Sequence, residues 1–524
     1  MVSLVVVVYL LVHVSTVMLV EDKCPPSCHC GKKRGPGHEI VTVIRCSTGS
    51  VPDLSPLKVN PHSKELTLDA YRNDNSLDIR KSIFQSGLKI RRLVIIGGPK
   101  MSLQDAAFVN LDDSLVSLRV GNEVKFNTSL TFLRGLSNLV RLQLRNNKQY
   151  WTRSPGSQVV SLFRDLGLYQ LEEIDMSSCF MYKMSVDVFR GVESLTSLDL
   201  SGNRLSDVPM AVNRLIRLRK LDLRFNHIKS LQSGAFSKLR KLQSLLLVGN
   251  EFGELVPDTF SGLEFSLLTL DLQLTGQKVI PTRALRRLKA LKNLNISENP
   301  FTSMLADSFS GEYCLHRLDM HYTQVEFHPN MFDSQKDCLR ELSLYKTKLT
   351  YIPRGILASL SKLKRLEFHG ADINVLKNDS LSGIKAKSID LSYLPLSEIE
   401  PGAFNGLNVP VNVTIVGTSL TNLDFVIGYE PGTFEKIEIE GSIICDCDLV
   451  KPLRELGCVL TGSCSKEHNV SVMDLRNDEF RNYLSEKCLV ELSPPVCLSN
   501  TVHIDHCCVY ILLMIGLILT DFII

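Results

Sequence analysis

A leucine frame, Leu-x-x-Leu-x-Leu, returns about every 24 residues between Leu115 and Phe434, and a period of that length restricts the chain to a solenoid of stacked short units. It runs through Leu139/Leu142/Leu144, Leu171/Ile174/Met176, Leu195/Leu198/Leu200, Leu218/Leu221/Leu223, Leu242/Leu245/Leu247 and Leu267/Leu270/Leu272. It continues through Leu291/Leu294/Ile296, Leu315/Leu318/Met320, Leu339/Leu342/Leu344 and Leu363/Leu366/Phe368. The copies blur downstream at Ile389/Leu391, Val413/Ile415 and Ile437/Ile439, and upstream at Leu93/Ile95 and Leu66/Leu68. The count is roughly thirteen to fifteen turns. A chain of 524 residues exceeds what one compact core supports, whereas a solenoid grows by adding turns.

Alternation within Leu-x-Leu is a strand signal: the leucines point into the coil and the intervening residues point out. Such strands stack in parallel at about 4.8 Å and line the concave face of a horseshoe, so the expected fold is an α/β leucine-rich-repeat solenoid. Three residues past each frame stand Asn147, Cys179, Asn203, Asn226, Asn250 and Asn299, where the chain leaves the strand and its backbone groups need partners. From Thr323 onward this ladder passes to Thr347 and Ala371, which predicts less regular C-terminal turns. Phe108, Phe189, Phe236, Phe260, Phe309, Phe332 and Phe404 form a second apolar column that fills the convex side.

The fifteen cysteines gather toward the ends, which points to the secretory pathway, where disulfides persist. The first twenty residues are apolar without Asp, Glu, Lys or Arg and read as a signal peptide, although a basic start is missing. Cys24, Cys28, Cys30 and Cys46 follow, and Cys445, Cys447, Cys458, Cys464 and Cys488 stand at the other end. The open cross-sections of a solenoid need covers, and these two groups are placed to provide them. Zinc is the chemical alternative for the Cys-x-Cys spacing, disfavoured by the export signal. Cys314 and Cys338 each precede the first leucine of neighbouring frames, so their turns place them about 5 Å apart, within disulfide reach. Cys179 stands at an asparagine-ladder position and reads as a buried thiol.

These cysteine frames, with the repeats between them, resemble the flanking modules of extracellular leucine-rich-repeat proteins over about residues 24 to 490. The resemblance implies two bridges among Cys24, Cys28, Cys30 and Cys46. It also implies that Cys445 and Cys447 pair with two of Cys458, Cys464 and Cys488. This C-terminal group lacks the usual tryptophan and has an extra cysteine, so its pairing stays open.

Residues 507–524 are apolar apart from Thr520 and Asp521 and, as a helix, would reach about 27 Å, just short of a hydrocarbon core. No Lys or Arg follows Lys487, so the basic flank of a spanning helix is missing and no length remains for an intracellular signalling domain. Ser499-Asn500-Thr501, the spacer Val502 to His506 and the apolar tail resemble a glycosylphosphatidylinositol attachment signal, with Ser499 or Asn500 as the attachment residue. A spanning tail and a secreted product are the alternatives. The expected order is signal peptide 1–20, N-terminal cap 21–62, repeats 63–440, C-terminal cap 441–490, spacer 491–506 and anchor segment 507–524.

On the concave face the residue between the inner leucines reads Asp175, Asp199, Asp222, Leu246, Asp271, Asn295, Asp319, Ser343, Glu367, Asp390. Stacked acids would make a track for a basic ligand, unless aspartate is common filler of such repeats. Neighbouring columns offer Arg317 and Arg365, then Arg224, His321, Tyr345 and His369, as candidate ligand contacts. His321 and His369 lie two turns apart, about 10 Å, too far for one metal ion. Basic groups ahead of several frames, such as Arg214/Arg217/Lys220 and Arg286/Arg287/Lys289, would stack into a stripe for sulfated glycan or remain a solvated flank. The turn starting at Leu139 is about eight residues longer than the others, and its Tyr150, Trp151 and Arg153 are residue types favoured at interfaces. Sequons at Asn127, Asn295, Asn378, Asn412 and Asn469 add glycan sites, and Asn295 falls in the strand column itself.

A net charge of +3 gives no general attraction to nucleic acid, and no Gly-x-Ser-x-Gly, His-Glu-x-x-His or phosphate-binding loop is present. The expected function is non-enzymatic, cofactor-free recognition of a protein or glycan partner at the cell surface, homophilic or heterophilic. The architecture resembles lipid-anchored leucine-rich-repeat adhesion proteins, the chaoptin and connectin group. Toll-like receptor ectodomains and variable lymphocyte receptors are similar too, implying immune recognition as a decoy or co-receptor. A secreted matrix protein that binds sulfated glycans is a third reading.

Overall fold

A computed structural model describes residues 24–492 except 27, 35–39, 48–63, 70–76, 81–82, 85–86, 99–100, 127–128, 148–157, 160, 303, 325–326, 408–409, 431, 442, 466–471, 476 and 491. Tyr150, Trp151, Arg153, Asn127, Asn469, Ser499, Asn500, the signal segment and the anchor segment lie outside the described residues. The chain divides into two compact units, Met1–Leu267 and Leu268–Ile524.

The first unit opens with an antiparallel pair, Cys28–Arg34 against Ile40–Ser47. Parallel strands are then added in sequence order, and the frame residues pair across them as Leu118, Leu142, Ile174, Leu198, Leu221 and Leu245. In the second unit the same position reads Leu270, Leu294, Leu318, Leu342, Leu366, Ile389, Val413 and Ile437. Frame residues such as Leu198, Leu221, Leu270 and Leu366 are fully buried, each contributing on the order of 2 kcal/mol before entropic costs. Both units are therefore parallel-sheet solenoids. The return segments are short turns and four-residue helices such as Thr282–Leu285 and Arg354–Leu357, each preceded by a proline whose missing N–H is no loss there. Among the described residues no helix is long and apolar enough to cross a membrane.

The ladder position does what buried backbone requires. Asn203 donates from Nδ2 to the carbonyls of Met176 (2.9 Å) and Leu200 (2.8 Å), and its Oδ1 accepts from the N–H groups of Cys179 and Met181, both at 3.1 Å. Asn226, Asn250 and Asn299 repeat the two donations, and their Oδ1 atoms accept one backbone N–H at Asn226 and Asn250 and two at Asn299. Cys179 donates its thiol to the Leu144 carbonyl at 3.0 Å. The turns directly after Thr323 stay regular, because a threonine hydroxyl replaces the amide as donor, Thr323 to Met320 O (2.7 Å) and Thr347 to Leu344 O (2.9 Å), and the irregularity expected of the C-terminal turns enters further on. Parallel register holds from Arg317 to Asp390 and first shifts within Val411–Thr418.

The phenylalanine column is buried and its rings meet turn to turn, with Phe236 and Phe260 at 6.4 Å and Phe309 and Phe332 at 5.2 Å between centroids. At the N-terminal end Cys24 bonds Cys30 and Cys28 bonds Cys46. At the other end the structure joins Cys445 to Cys464 and Cys447 to Cys488. Cys314 and Cys338 are joined with their Cα atoms 5.3 Å apart and close a segment of 24 residues. Replacing both by serine is expected to cost about 3 kcal/mol, read as a lower urea midpoint for the purified protein. An unchanged midpoint would mean that the bridge adds nothing to the stacked turns.

Candidate recognition face

Each three-residue strand presents its first and third residues outward and buries the second, so the face is a set of columns that sequence alone can align only while the leucine frame is clear. Of the two readings of the third-position acids, a track toward a basic ligand or filler of the repeat, five of the acids support the second. Asp175, Asp199, Asp222, Asp271 and Asp390 each turn Oδ1 back to accept the N–H two residues on, at Ser177, Ser201, Arg224, Gln273 and Ser392. They cap the strand end and satisfy a backbone donor. Asp222 is only 1% exposed and is held by Arg224 at 2.7 Å, while Arg145 binds Asp175. Burial pushes the Asp199 carboxyl above the ordinary range, with the charges of Asp175 and Asp222 adding to it and the Ser201 hydrogen bonds opposing it. Arg224, a candidate ligand contact, is thus engaged by its own strand. Arg214 likewise pairs with Asp187 and Lys289 with Glu312, so the flanking basic groups include acid-neutralised members.

Four other candidates, Arg317, His321, Tyr345 and His369, come together with Arg365 in the second unit. A row of rings crosses successive turns there: His321 to Tyr345 at 5.5 Å, Tyr345 to His369 at 4.8 Å, and His369 to Tyr393 at 4.6 Å between centroids. Tyr322 meets Tyr345 edge-on at 5.3 Å, and the Lys346 ammonium lies 5.2 Å and 5.4 Å from the centroids of Tyr322 and Tyr345. Hydrogen bonding with Tyr345, then with Lys346, holds the Tyr322 hydroxyl below its ordinary pKa, and the two tyrosines hold Lys346 above its own. Arg317 bonds Asp319 at 2.9 Å and reaches Glu341 at 3.5 Å; Arg365 is exposed in the next strand but one. Tyr322 and Tyr393 are exposed, and His321, Tyr345 and His369 are half-buried, so the row is both supported and accessible. Among the described residues no group of His, Cys, Asp or Glu is arranged to hold a metal ion.

Tyr322, Lys346 and Tyr393 were not legible as candidates. All three have positive φ (51°, 48° and 53°), at a position where other turns carry Gly202, Gly249, Gly370 or Gly417. Several of those glycines leave room for the preceding turn's side chain. A Cβ at Gly417 would lie 2.7 Å from the Tyr393 ring, one at Gly370 would lie 2.9 Å from Lys346 Cγ, and in the first unit one at Gly249 would lie 2.6 Å from Phe225.

His321 gives the face a pH dependence. Its Nε2 lies 2.7 Å from Ser343 Oγ, and burial holds its pKa below 6.5, against the opposing pull of Asp319 and Glu367. His316 shifts the same way, from burial and from Arg340 and Lys292. The unfolded chain then binds these protons first, so stability is full above 6.5 and falls as pH drops through 6.5 toward the folded values. The urea midpoint should fall between neutral pH and about pH 5 and fall less in His321→Gln. An identical fall in that variant would assign the effect to other groups.

Comparison with known proteins places the repeats. Leucine rich repeat family models match residues 194–215 and 216–273. Leucine-rich repeat-containing G-protein coupled receptor 5 of Rattus norvegicus is 33% identical over 109 residues, 21% of this chain. Chaoptin of Drosophila melanogaster is 26% identical over 243 residues, 45% of this chain. The chain spans 12% of the length of the first and 16% of the second. Among solved structures, the Toll–Spätzle complex of Drosophila aligns with a TM-score of 0.52 at 15% identity, covering 82% of this chain and 70% of that one, a likeness of fold.

Proposed function

Because this chain is a leucine-rich-repeat protein with disulfide-bonded cysteines at both ends, we propose that it is a non-enzymatic cell-surface recognition protein whose role is adhesion between cells. The accessible row His321–Tyr345–His369–Tyr393 supports this reading most. Aromatic side chains bring large contact areas with few rotatable bonds, and tyrosine and arginine dominate binding energy at protein interfaces. Disulfides at both ends fit a compartment outside the cytosol. The span of the match to chaoptin favours adhesion over the other readings. In this proposal a lipid anchor is attached at Ser499 or Asn500 and holds the protein on the outer leaflet.

The test is expression of the full chain on cells that do not otherwise adhere. Cells carrying it are expected to aggregate, and phosphatidylinositol-specific phospholipase C to release the protein. The double variant Tyr345→Ala, His369→Ala should weaken aggregation at equal surface level, since losing one well-packed interface ring costs about 2 kcal/mol, roughly thirty-fold in affinity. Absence of aggregation in the unsubstituted chain rules out homophilic adhesion and turns the search to a foreign partner. Aggregation that survives the double variant removes the ring row from the contact.

A further inference from the structure

Two sequons of the second unit lie on the strand face on opposite sides of the ring row. Asn295 ends the strand Asn293–Asn295, whose middle residue Leu294 is buried while Asn295 is half-buried and outward. Asn412 was an ordinary sequon in the sequence, because the leucine frame has blurred by Val413. Register shows otherwise: Asn412 pairs with Ser388, which pairs with Arg365, so it stands in the outward first-position column. Between the two sequon strands lie four others, Arg317–Asp319, Glu341–Ser343, Arg365–Glu367 and Ser388–Asp390, and the ring row follows directly from their ends.

We infer that Asn295 and Asn412 carry N-linked glycans that fence this four-strand window, and that the window admits a single polypeptide loop or hairpin rather than the broad face of a domain. The second part rests on the recognition reading above. In the modification, the Asn Nδ2–C1 bond forms as the C1–O bond of a lipid-pyrophosphate-linked oligosaccharide breaks, and one amide proton leaves with the pyrophosphate. The folded chain accommodates the product at both sites. Asn295 Nδ2 donates to Gln273 Oε1 (3.2 Å) and Asn412 Nδ2 to Glu435 Oε2 (2.8 Å), and a glycosylated amide keeps one N–H for that bond. The Asn295 oxygen still accepts the Ser297 N–H at 3.0 Å.

The spacing sets the size of the partner. Five interstrand steps separate the two sequon strands, about 24 Å, and the sugars stand inside that limit. A hairpin with its side chains is about 10 Å thick and passes between them. A domain of 100 residues, with a radius of gyration of about 13 Å, does not. Contacts at the centre then fall on Tyr345 and His369, with Arg365 and Glu367 beside them.

Three measurements on the full chain expressed in secretory-pathway cells decide this. Glycopeptide mass spectrometry should find both asparagines occupied; a bare asparagine at either site overturns the fence. Ser388→Cys, labelled with a short-linker biotin maleimide, places a handle inside the window for streptavidin, a broad folded probe. Native capture is expected to be near zero with both sequons present and near complete after Asn295→Asp with Thr414→Val. Aspartate is the residue of neighbouring strands at Asp271 and Asp319, and valine keeps the β-branched shape, so both changes preserve the fold. Equal capture from both proteins overturns the inference, with capture after denaturation as the control for labelling. Equal capture combined with aggregation lost in Tyr345→Ala, His369→Ala sinks the fence and leaves the recognition reading. Restricted capture with aggregation intact in that variant does the reverse.

Discussion

Asn203→Leu is expected to lower the unfolding free energy of the protein by roughly 4 kcal/mol, as a loss of urea midpoint or of secretion. Leucine keeps the γ-branching and the side-chain heavy-atom count of asparagine, so no cavity explains the loss. The amide satisfies four buried backbone groups: the carbonyls of Met176 and Leu200 and the N–H groups of Cys179 and Met181. Asn203 is 3% exposed, so water does not replace it. Each group left bare costs about 1–3 kcal/mol, and the sum is less than additive because the turn relaxes. Asn203→Thr should cost about half as much, since a hydroxyl donates to a carbonyl at the same position in Thr323 and Thr347 but does not serve the two N–H groups. Equal losses in the two variants would show that shape, and not hydrogen bonding, sets the ladder.

Phe332→Ala should be of similar size, about 4 kcal/mol, because a fully buried ring leaves both its transfer energy and a cavity behind. Phe332 stacks on Phe309 at 5.2 Å and meets Phe327 at 6.1 Å. Three residues on, buried Gln335 donates to the carbonyls of Phe309 (3.1 Å) and Tyr313 (3.3 Å) and accepts the Leu315 N–H at 2.9 Å. The ring therefore supports the amide network that leads the chain into the strand Arg317–Asp319. Phe332→Leu should recover most of the loss. A cost below about 1 kcal/mol for the alanine variant would mean that the turn collapses onto the void.

What the sequence disclosed was whatever recurs. The leucine frame repeats often enough to align strands, and an amide after each frame has a forced role, so the solenoid and its ladder were readable. The threonines that take over at Thr323 and Thr347 were read as a lapse because the letter changed while the donor chemistry did not. The aspartate column was visible, yet its purpose depends on an N–H two residues on, which periodicity does not describe. Asn412 was hidden for the opposite reason: its frame had blurred, and only strand register aligns it with Ser388. Pairing in the C-terminal group stayed open because Cys458, Cys464 and Cys488 are equivalent until the helix Asp478–Cys488 brings its last residue to Cys447.

The glycines beneath Phe225 and Tyr393 carry a consequence for how such a face is changed. Each lies one turn further along, at Gly249 and Gly417, and a methyl group there would meet the preceding ring. What one turn displays is thus shaped by the turn after it. A cassette moved to another scaffold without its successor would arrive with its ring displaced, so the smallest transferable element of this surface is a pair of adjoining repeats.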